Sequence, residues 1–347
     1  MENVSENVKI VIYGAGAIGT SLYGLIYPHY SNIYLLARGE NAKILKSKGL
    51  LLYEQKNNNP ELIIANFIED LNELSSIDVV IITVKNYDLE EVAKDIYSKL
   101  GDRPVIVAMQ NGVINQDILP KYFSKVIYTV IVFSAWRDKP GVFGYRSKGI
   151  IFLGTIDNIV QPIMEKIIKI MNLGVSTKIT DSLQDAVHSK MIMNLNNAAS
   201  ALIDLKAIDD STISIFRKII INIILEGIQI IEAAGYKEFK LKRLPDWKSI
   251  RMANKIPEDM ANKMFKENIK GMALSSMVQD MVLRQKNKSE LESLNGYFIK
   301  LADSLGIEAP CNRTIYEICK KEFNKTPFKP LHVELVWKKI QEKLDKN

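Results

Sequence analysis

Residues 8–24, "VKIVIYGAGAIGTSLYG", decide the fold. A β-branched apolar run is followed at once by Gly14, Gly16 and Gly19 in the order GxGxxG, and then by a stretch with helical periodicity. Gly14 allows a tight turn, Gly16 lets a pyrophosphate approach the backbone, and Gly19 lets the helix pack on the sheet. Ala17 and Ile18 then lie in the first helical turn, whose free N–H groups and partial positive charge suit phosphate. Taken alone GxGxxG is a weak signal, equally readable as a glycine-rich turn without a ligand. Its strand–turn–helix setting at the first strand of the chain makes it a dinucleotide loop.

The rest of the first half repeats the rhythm. Near-continuous apolar runs at 8–13, 32–36, 78–84, 104–109 and 125–133 read as strands buried on both faces, as a parallel sheet requires. Helical stretches fall near 17–28, 40–48, 88–99 and 113–121. Residues 141–154, "GVFGYRSKGIIFLG", read as a hairpin closing that half. From Thr180 onward strand-like runs vanish and a 3.6-residue period takes over. The expected fold is α/β: a Rossmann-like, doubly wound parallel sheet over residues 1–180, then an all-helical domain over residues 181–347.

Bulk properties exclude several classes. The 347 residues carry a formal net charge of +6, with 47% hydrophobic and 25% charged residues, which is globular. Apart from a short basic cluster at Lys240, Lys242 and Arg243, cations are interspersed with acids, so no nucleic-acid partner is expected. Two cysteines eight residues apart and three histidines make neither a zinc site nor a disulfide framework, and no metal is expected. "MENVSENVKI" has no basic and apolar leader pattern, and the oiliest stretch, "KIIINIILEGIQIIEAAG", is broken by Asn222, Glu226, Gln229 and Glu232 at helical spacing. A cytoplasmic protein without membrane segments is expected.

The end of the second strand selects the cofactor. Where an NAD-specific fold places an acid for the ribose 2′-hydroxyl, "YLLARGENAK" places Arg38, whose guanidinium fits a 2′-phosphate. NADP(H) is therefore expected. Lys85 in "TVKNYD" and Asn111 in "MQNGV" follow strand ends, where open α/β sheets bind ligands. In the helical half, "SKMIMNLNNAASAL" (189–202) places Lys190, Asn194 and Asn197 within about 60° of one another on an otherwise oily helix. Such a lysine can snorkel to the surface and such amides can cap or bridge helices. A ketone reduction offers a sharper use, because hydride addition builds negative charge on the carbonyl oxygen and needs a cation and a proton there.

These motifs, with "SSMVQD" (Ser276, Asp280) and "SELESLNG" (Glu290, Asn295, Gly296), occur in the order found in the ketopantoate reductases, and the chain resembles that family over nearly its whole length. The resemblance implies that Lys190 is the catalytic lysine and Glu290 the active-site glutamate. It also implies that Asn111 lies near the nicotinamide and substrate, and that Lys85 helps hold the adenosine side of the cofactor. Ser276 would contact the substrate carboxylate, and Asn194 would bind substrate. Glu290 could keep Lys190 charged or anchor a substrate hydroxyl. The chain departs from the pattern at Ala198 and Ala273, where the family usually has asparagine, and Asn197 stands one step before the first of these.

The expected activity is NADPH-dependent reduction of 2-dehydropantoate to pantoate. The alternatives are reduction of another 2-oxo acid, for which the two alanines argue, and a non-catalytic NADP(H) sensor. Apolar stripes in the helical half also make a homodimer an expectation.

Overall fold

Buried apolar runs become strands where both faces of the sheet can be covered. In chain order the strands are β1 (Ile10–Tyr13), β2 (Ile33–Leu36), β3 (Leu50–Glu54), β4 (Glu61–Ile63), β5 (Phe67–Ile68) and β6 (Val79–Ile82). They continue with β7 (Val105–Ala108), β8 (Val126–Ile131), β9 (Ala135–Lys139), β10 (Val142–Tyr145), β11 (Ile151–Gly154) and β12 (Thr177–Ile179). The computed structural model describes residues 7–57, 59–64, 66–241, 244–273 and 275–345. Residues 1–6, and Lys242 and Arg243 of the basic cluster, lie outside the described residues.

Eight strands form one sheet in the order β12-β11-β8-β7-β6-β1-β2-β5, parallel except where β11 meets β8. β1 is paired on one side with β2 and on the other with β6, so the strand order reverses there. Tyr13 is in register with both Leu36 and Ile82, and Ile82 with Ala108. The chain therefore leaves β1, β2, β6 and β7 along one edge of the sheet, carboxyl ends together, where such sheets bind ligands. The helices α1 (Ala17–Ile26), α2 (Gly39–Lys48), α3 (Leu89–Leu100), α4 (Ile114–Ile118) and α5 (Pro162–Met171) occupy the connections. Leu22 and Ile26 of α1 pack with Ile10, Ile12, Leu35, Ile81 and Val107 in one core.

The expected hairpin at 141–154 does not form. β10 pairs instead with β9 (antiparallel) and β3 (parallel), in a second sheet of order β4-β3-β10-β9. β11 lies in the large sheet. The reason is the turn at Pro140–Gly141, where Gly141 has φ +81 and connects β9 back to β10. A Pro–Gly pair before an apolar run is a strong turn signal, and it takes β10 away from β11.

Contacts divide the chain into Met1–Val187 and His188–Asn347. The second unit is helical; among the described residues it holds only one isolated bridge, Ile203 to Leu331. The helix α6 (Leu183–Asn194) spans the division and continues as α7 (Asn196–Leu202). Then come α8 (Ile213–Ala233), α9 (Trp247–Met252), α10 (Glu258–Met272), α11 (Tyr297–Leu305), α12 (Pro310–Glu322) and α13 (Val333–Leu344). Wide π-type turns occupy Val278–Leu283 and Glu292–Gly296. In α8, Ile219, Ile220, Ile223, Ile230 and Ile231 are buried. Glu226 on this helix caps α12, accepting from the Cys311 and Asn312 backbone N–H groups at 2.8 Å each. Among the described residues no helix is long and apolar enough to cross a membrane.

Candidate active site

The glycines of the first loop are required by close approach. Gly14 has φ +121, and a Cβ there would lie 2.9 Å from the Thr83 hydroxyl. A Cβ on Gly19 would lie 2.1 Å from the Gly14 carbonyl oxygen and 2.4 Å from Thr83 Oγ1. The Thr83 hydroxyl itself donates to the Gly14 carbonyl at 2.8 Å, so α1 rests directly on a bonded pair of loop and strand end. Gly16, by contrast, faces open space within 4 Å and is the exposed residue of the loop. It is the N-cap of α1, with no side-chain cap and no acidic residue in the first turn. Ala17 and Ile18 are partly exposed beside it. These features fit a pyrophosphate: open backbone where it would lie, and no competing anion.

Arg38 immediately precedes α2 and is held before any ligand arrives. Its Nη2 donates to Asp95 at 2.8 Å, its Nε to the Glu69 carbonyl at 3.3 Å, and its guanidinium lies 5.3 Å from the Tyr13 ring centre. Asp95 also accepts from the Tyr13 hydroxyl at 2.7 Å and pairs with Lys99 at 2.9 Å. Burial opposes charge on Asp95, but the bonds from Lys99, Tyr13 and Arg38 outweigh it and hold the carboxyl below its usual range. Lys85 and Asn111 stand just beyond β6 and β7. Their loops are laced together, because Gln110 donates to the Ile82 and Val84 carbonyls and Asn86 donates to the Asn111 carbonyl at 2.7 Å. Thr83, Asn86, Asp95 and Gln110 are not among the residues expected from sequence. Gln110 stands inside the quoted "MQNGV" stretch, whereas Asp95 is 82 residues from Tyr13 and has no local signal.

In the second unit, Lys190 and Asn194 lie one turn apart on α6, and Asn197 follows on α7. Asn194 is buried, while Asn197 is partly buried. Among the described residues neither the Lys190 ammonium nor the Asn194 amide has a hydrogen-bond or ion-pair partner. The Lys190 side chain is partly exposed, and desolvation by the protein packed around it pushes its pKa down to about 8. Glu290 is 6% exposed, despite the charged run "KNKSELES" around it. It makes no ion pair with Lys190.

Glu290 begins the helix that continues through the wide turn at 292–296, its carbonyl accepting from the Leu294 N–H at 3.0 Å. Ser276 is partly buried, and the wide turn just after it packs on α7. Asn295 donates to the Leu195 carbonyl at 3.3 Å, between α6 and α7. Three stretches that are far apart in sequence thus converge where α6 passes into α7. A cavity of about 220 Å³ lined by Ser189, Met193, Phe239, Leu241 and Trp247 lies on a different face, one residue around the helix from the polar stripe.

A family model for ketopantoate reductase PanE/ApbA matches residues 10–158, and the model for the C-terminal domain of the same family matches residues 182–322. The chain belongs to the ketopantoate reductase family. It is therefore an oxidoreductase, built on the Rossmann-like and helical architecture described above. It is 27% identical over 314 residues to the 2-dehydropantoate 2-reductase of Archaeoglobus fulgidus, an alignment covering 90% of this chain and 97% of that one. The dimeric ketopantoate reductase of Staphylococcus aureus has the same fold, with a TM-score of 0.68 and 18% identity, over 92% of this chain and 99% of that one. So does D-mandelate dehydrogenase in complex with NADH and anilino(oxo)acetate, with a TM-score of 0.74 and 16% identity over 91% and 99%.

Proposed function

We propose that this chain reduces 2-dehydropantoate to pantoate with NADPH, a step toward pantothenate and coenzyme A. The observation that best supports the reading is the polar stripe of α6, where among the described residues the partly buried Lys190 and the buried Asn194, one turn apart, have no side-chain partner in the protein. An ammonium and an amide side by side on an otherwise apolar helix are available to a ligand's oxygens. In this reading residues 1–180 bind the cofactor, and residues 181–347 bind substrate and form a homodimer, as the dimeric Staphylococcus relative supports.

The loop from Gly14 through Gly16, Ala17 and Ile18 to Gly19 holds the pyrophosphate, and Arg38 takes the 2′-phosphate. Lys85 holds the adenosine side, and Asn111 lies at the nicotinamide. NADPH, when bound, supplies the hydride. Lys190 stabilises the charge that develops on the 2-oxo oxygen and donates the proton that completes the alcohol. A pKa of about 8 suits that task, since the group is mostly protonated at neutral pH and yields its proton readily. Glu290, buried in the helical unit, anchors a substrate hydroxyl or keeps the lysine charged. Ser276, Asn194 and Asn197 serve the substrate's carboxylate and remaining polar groups.

One observation favours a second reading, a related 2-oxo acid as the preferred substrate. Ala198 is fully buried, with its carbonyl 3.7 Å from Cys319 Sγ, and Ala273 likewise offers no amide. Two donors usual in the family are missing, and each substrate oxygen left without a donor in a buried site costs about 1–3 kcal/mol. NADPH oxidation followed by absorbance against a panel of 2-oxo acids separates the readings. Fastest turnover with 2-dehydropantoate is expected. A higher kcat/KM with another acid would transfer the assignment, and NADPH binding without turnover on any acid would sink it.

A further inference from the structure

We infer that His188 and Tyr297 form a positioning pair that holds Lys190 in its catalytic placement. The inference rests on the role proposed for Lys190. His188 is 1% exposed, its Nε2 lies 2.8 Å from the Tyr297 hydroxyl, and its ring stacks on Tyr236 at 3.8 Å with an interplanar angle of 17°. Tyr236 follows Gly235, whose φ of +87 ends α8 and turns the tyrosine back toward the imidazole. The histidine is therefore fixed by a ring on α8's terminus and by a hydroxyl on the helix that begins at Glu290.

The periodicity of α6 gives this pair its meaning. His188 and Leu195 are seven residues apart, so they project within about 20° of each other, two turns along the helix. Both are bonded to the same short segment: His188 to Tyr297, and the Leu195 carbonyl to Asn295 Nδ2 at 3.3 Å. Gly227 of α8 leaves room for Leu195 at this point, since a Cβ there would lie 2.6 Å from Leu195 Cδ1. Lys190 lies about 160° around the axis from His188, on the opposite face.

One face of the helix is thus riveted at two points that bracket Lys190 and Asn194 in sequence, and the opposite face carries the chemistry. The same rivets tie α6 to the chain that begins at Glu290. They fix the register of the proton donor against the glutamate, although the two form no ion pair. His188 and Tyr297 contact no reacting atom in this scheme and act only through the helix.

Tyr297→Phe tests the pair, because it keeps the ring and deletes only the hydroxyl. It is expected to lower kcat about tenfold, within the range that small misplacements of a catalytic group produce, while leaving NADPH affinity unchanged. In a Lys190→Ala background the same substitution should cause no further loss, because the pair works through Lys190. His188→Gln, whose amide can reach the Nε2 position, should retain more kcat than His188→Leu. An unchanged kcat in Tyr297→Phe, or an equal loss in both backgrounds, would overturn the inference. Failure of the Lys190 assignment would show separately, as full turnover in Lys190→Ala alone.

Discussion

The two halves of this protein prepare for their ligands in opposite ways. Around the dinucleotide loop nearly every side chain is already engaged: Thr83 is bonded to Gly14, Arg38 to Asp95, and Asn86 and Gln110 to neighbouring carbonyls. On α6, among the described residues, Lys190 and Asn194 have no side-chain partner, while His188 bonds Tyr297, Ser189 accepts from the Phe239 N–H and the Leu195 carbonyl accepts from Asn295. Phosphate recognition needs rigid backbone and a guanidinium held in place, and Asp95 holds Arg38 there. Proton donation needs an ammonium whose charge is not already satisfied, and desolvation then tunes it. On the proposed function, the first half binds and the second reacts.

The largest effect is expected on the reactive side. Lys190→Ala should lower turnover by about 10²–10⁴-fold, the usual worth of a positioned acid, with NADPH affinity nearly unchanged in a fluorescence titration. Parallel losses of turnover and affinity would erase the division between the halves.

Next, Gly19→Ala should break the binding half. A Cβ there meets the Gly14 carbonyl oxygen at 2.1 Å, so α1 must move off the loop. Overpacking of this kind costs about 1–3 kcal/mol in thermal or chemical unfolding, and NADPH binding should fall with it. A variant with wild-type affinity and stability would show that the loop is not tightly seated.

How far the sequence alone reveals these halves follows from the same contrast. The glycine loop is legible because its determinants lie within six residues and each answers a local steric demand. Parallel strands such as β1, β6 and β7 are legible because burial on both faces leaves continuous apolar runs. The second sheet is hidden, since "AWRDK" and "LLLYE" carry polar residues on a half-exposed surface. The Pro140–Gly141 turn is visible in the sequence, and its physical weight exceeds that of the alternation suggesting a hairpin at 141–154. The polar stripe of α6 is legible from its period, but what holds the helix at Leu195 is not. The Leu195 carbonyl takes a bond from Asn295, a hundred residues away, and the Leu195 side chain fits against Gly227. Glu290 sits in a charged run that by itself suggests a solvated face; the motif order singles it out, and the fold buries it.

A smaller effect is expected at Arg38. Arg38→Ala should weaken NADPH by about 1–3 kcal/mol, the worth of a charge-assisted bond, and leave NADH binding almost unaltered. The side chain is half exposed, which favours the lower end of that range. Equal weakening of both cofactors would mean that Arg38 supports the loop and does not read the 2′-phosphate.

The central claim, that Lys190 is an unpaired acid tuned by burial, is tested most directly by the pH dependence of 2-oxo-acid reduction at saturating NADPH. Burial disfavours the charged form and places the lysine's pKa at about 8, so the competent, protonated enzyme is lost as pH rises through that value. The rate of reduction should be level below the transition and fall with a single proton above it, and the reverse oxidation should rise over the same range. A reduction rate that stays level far into the alkaline range, up to the ordinary lysine pKa near 10.4, would contradict the account.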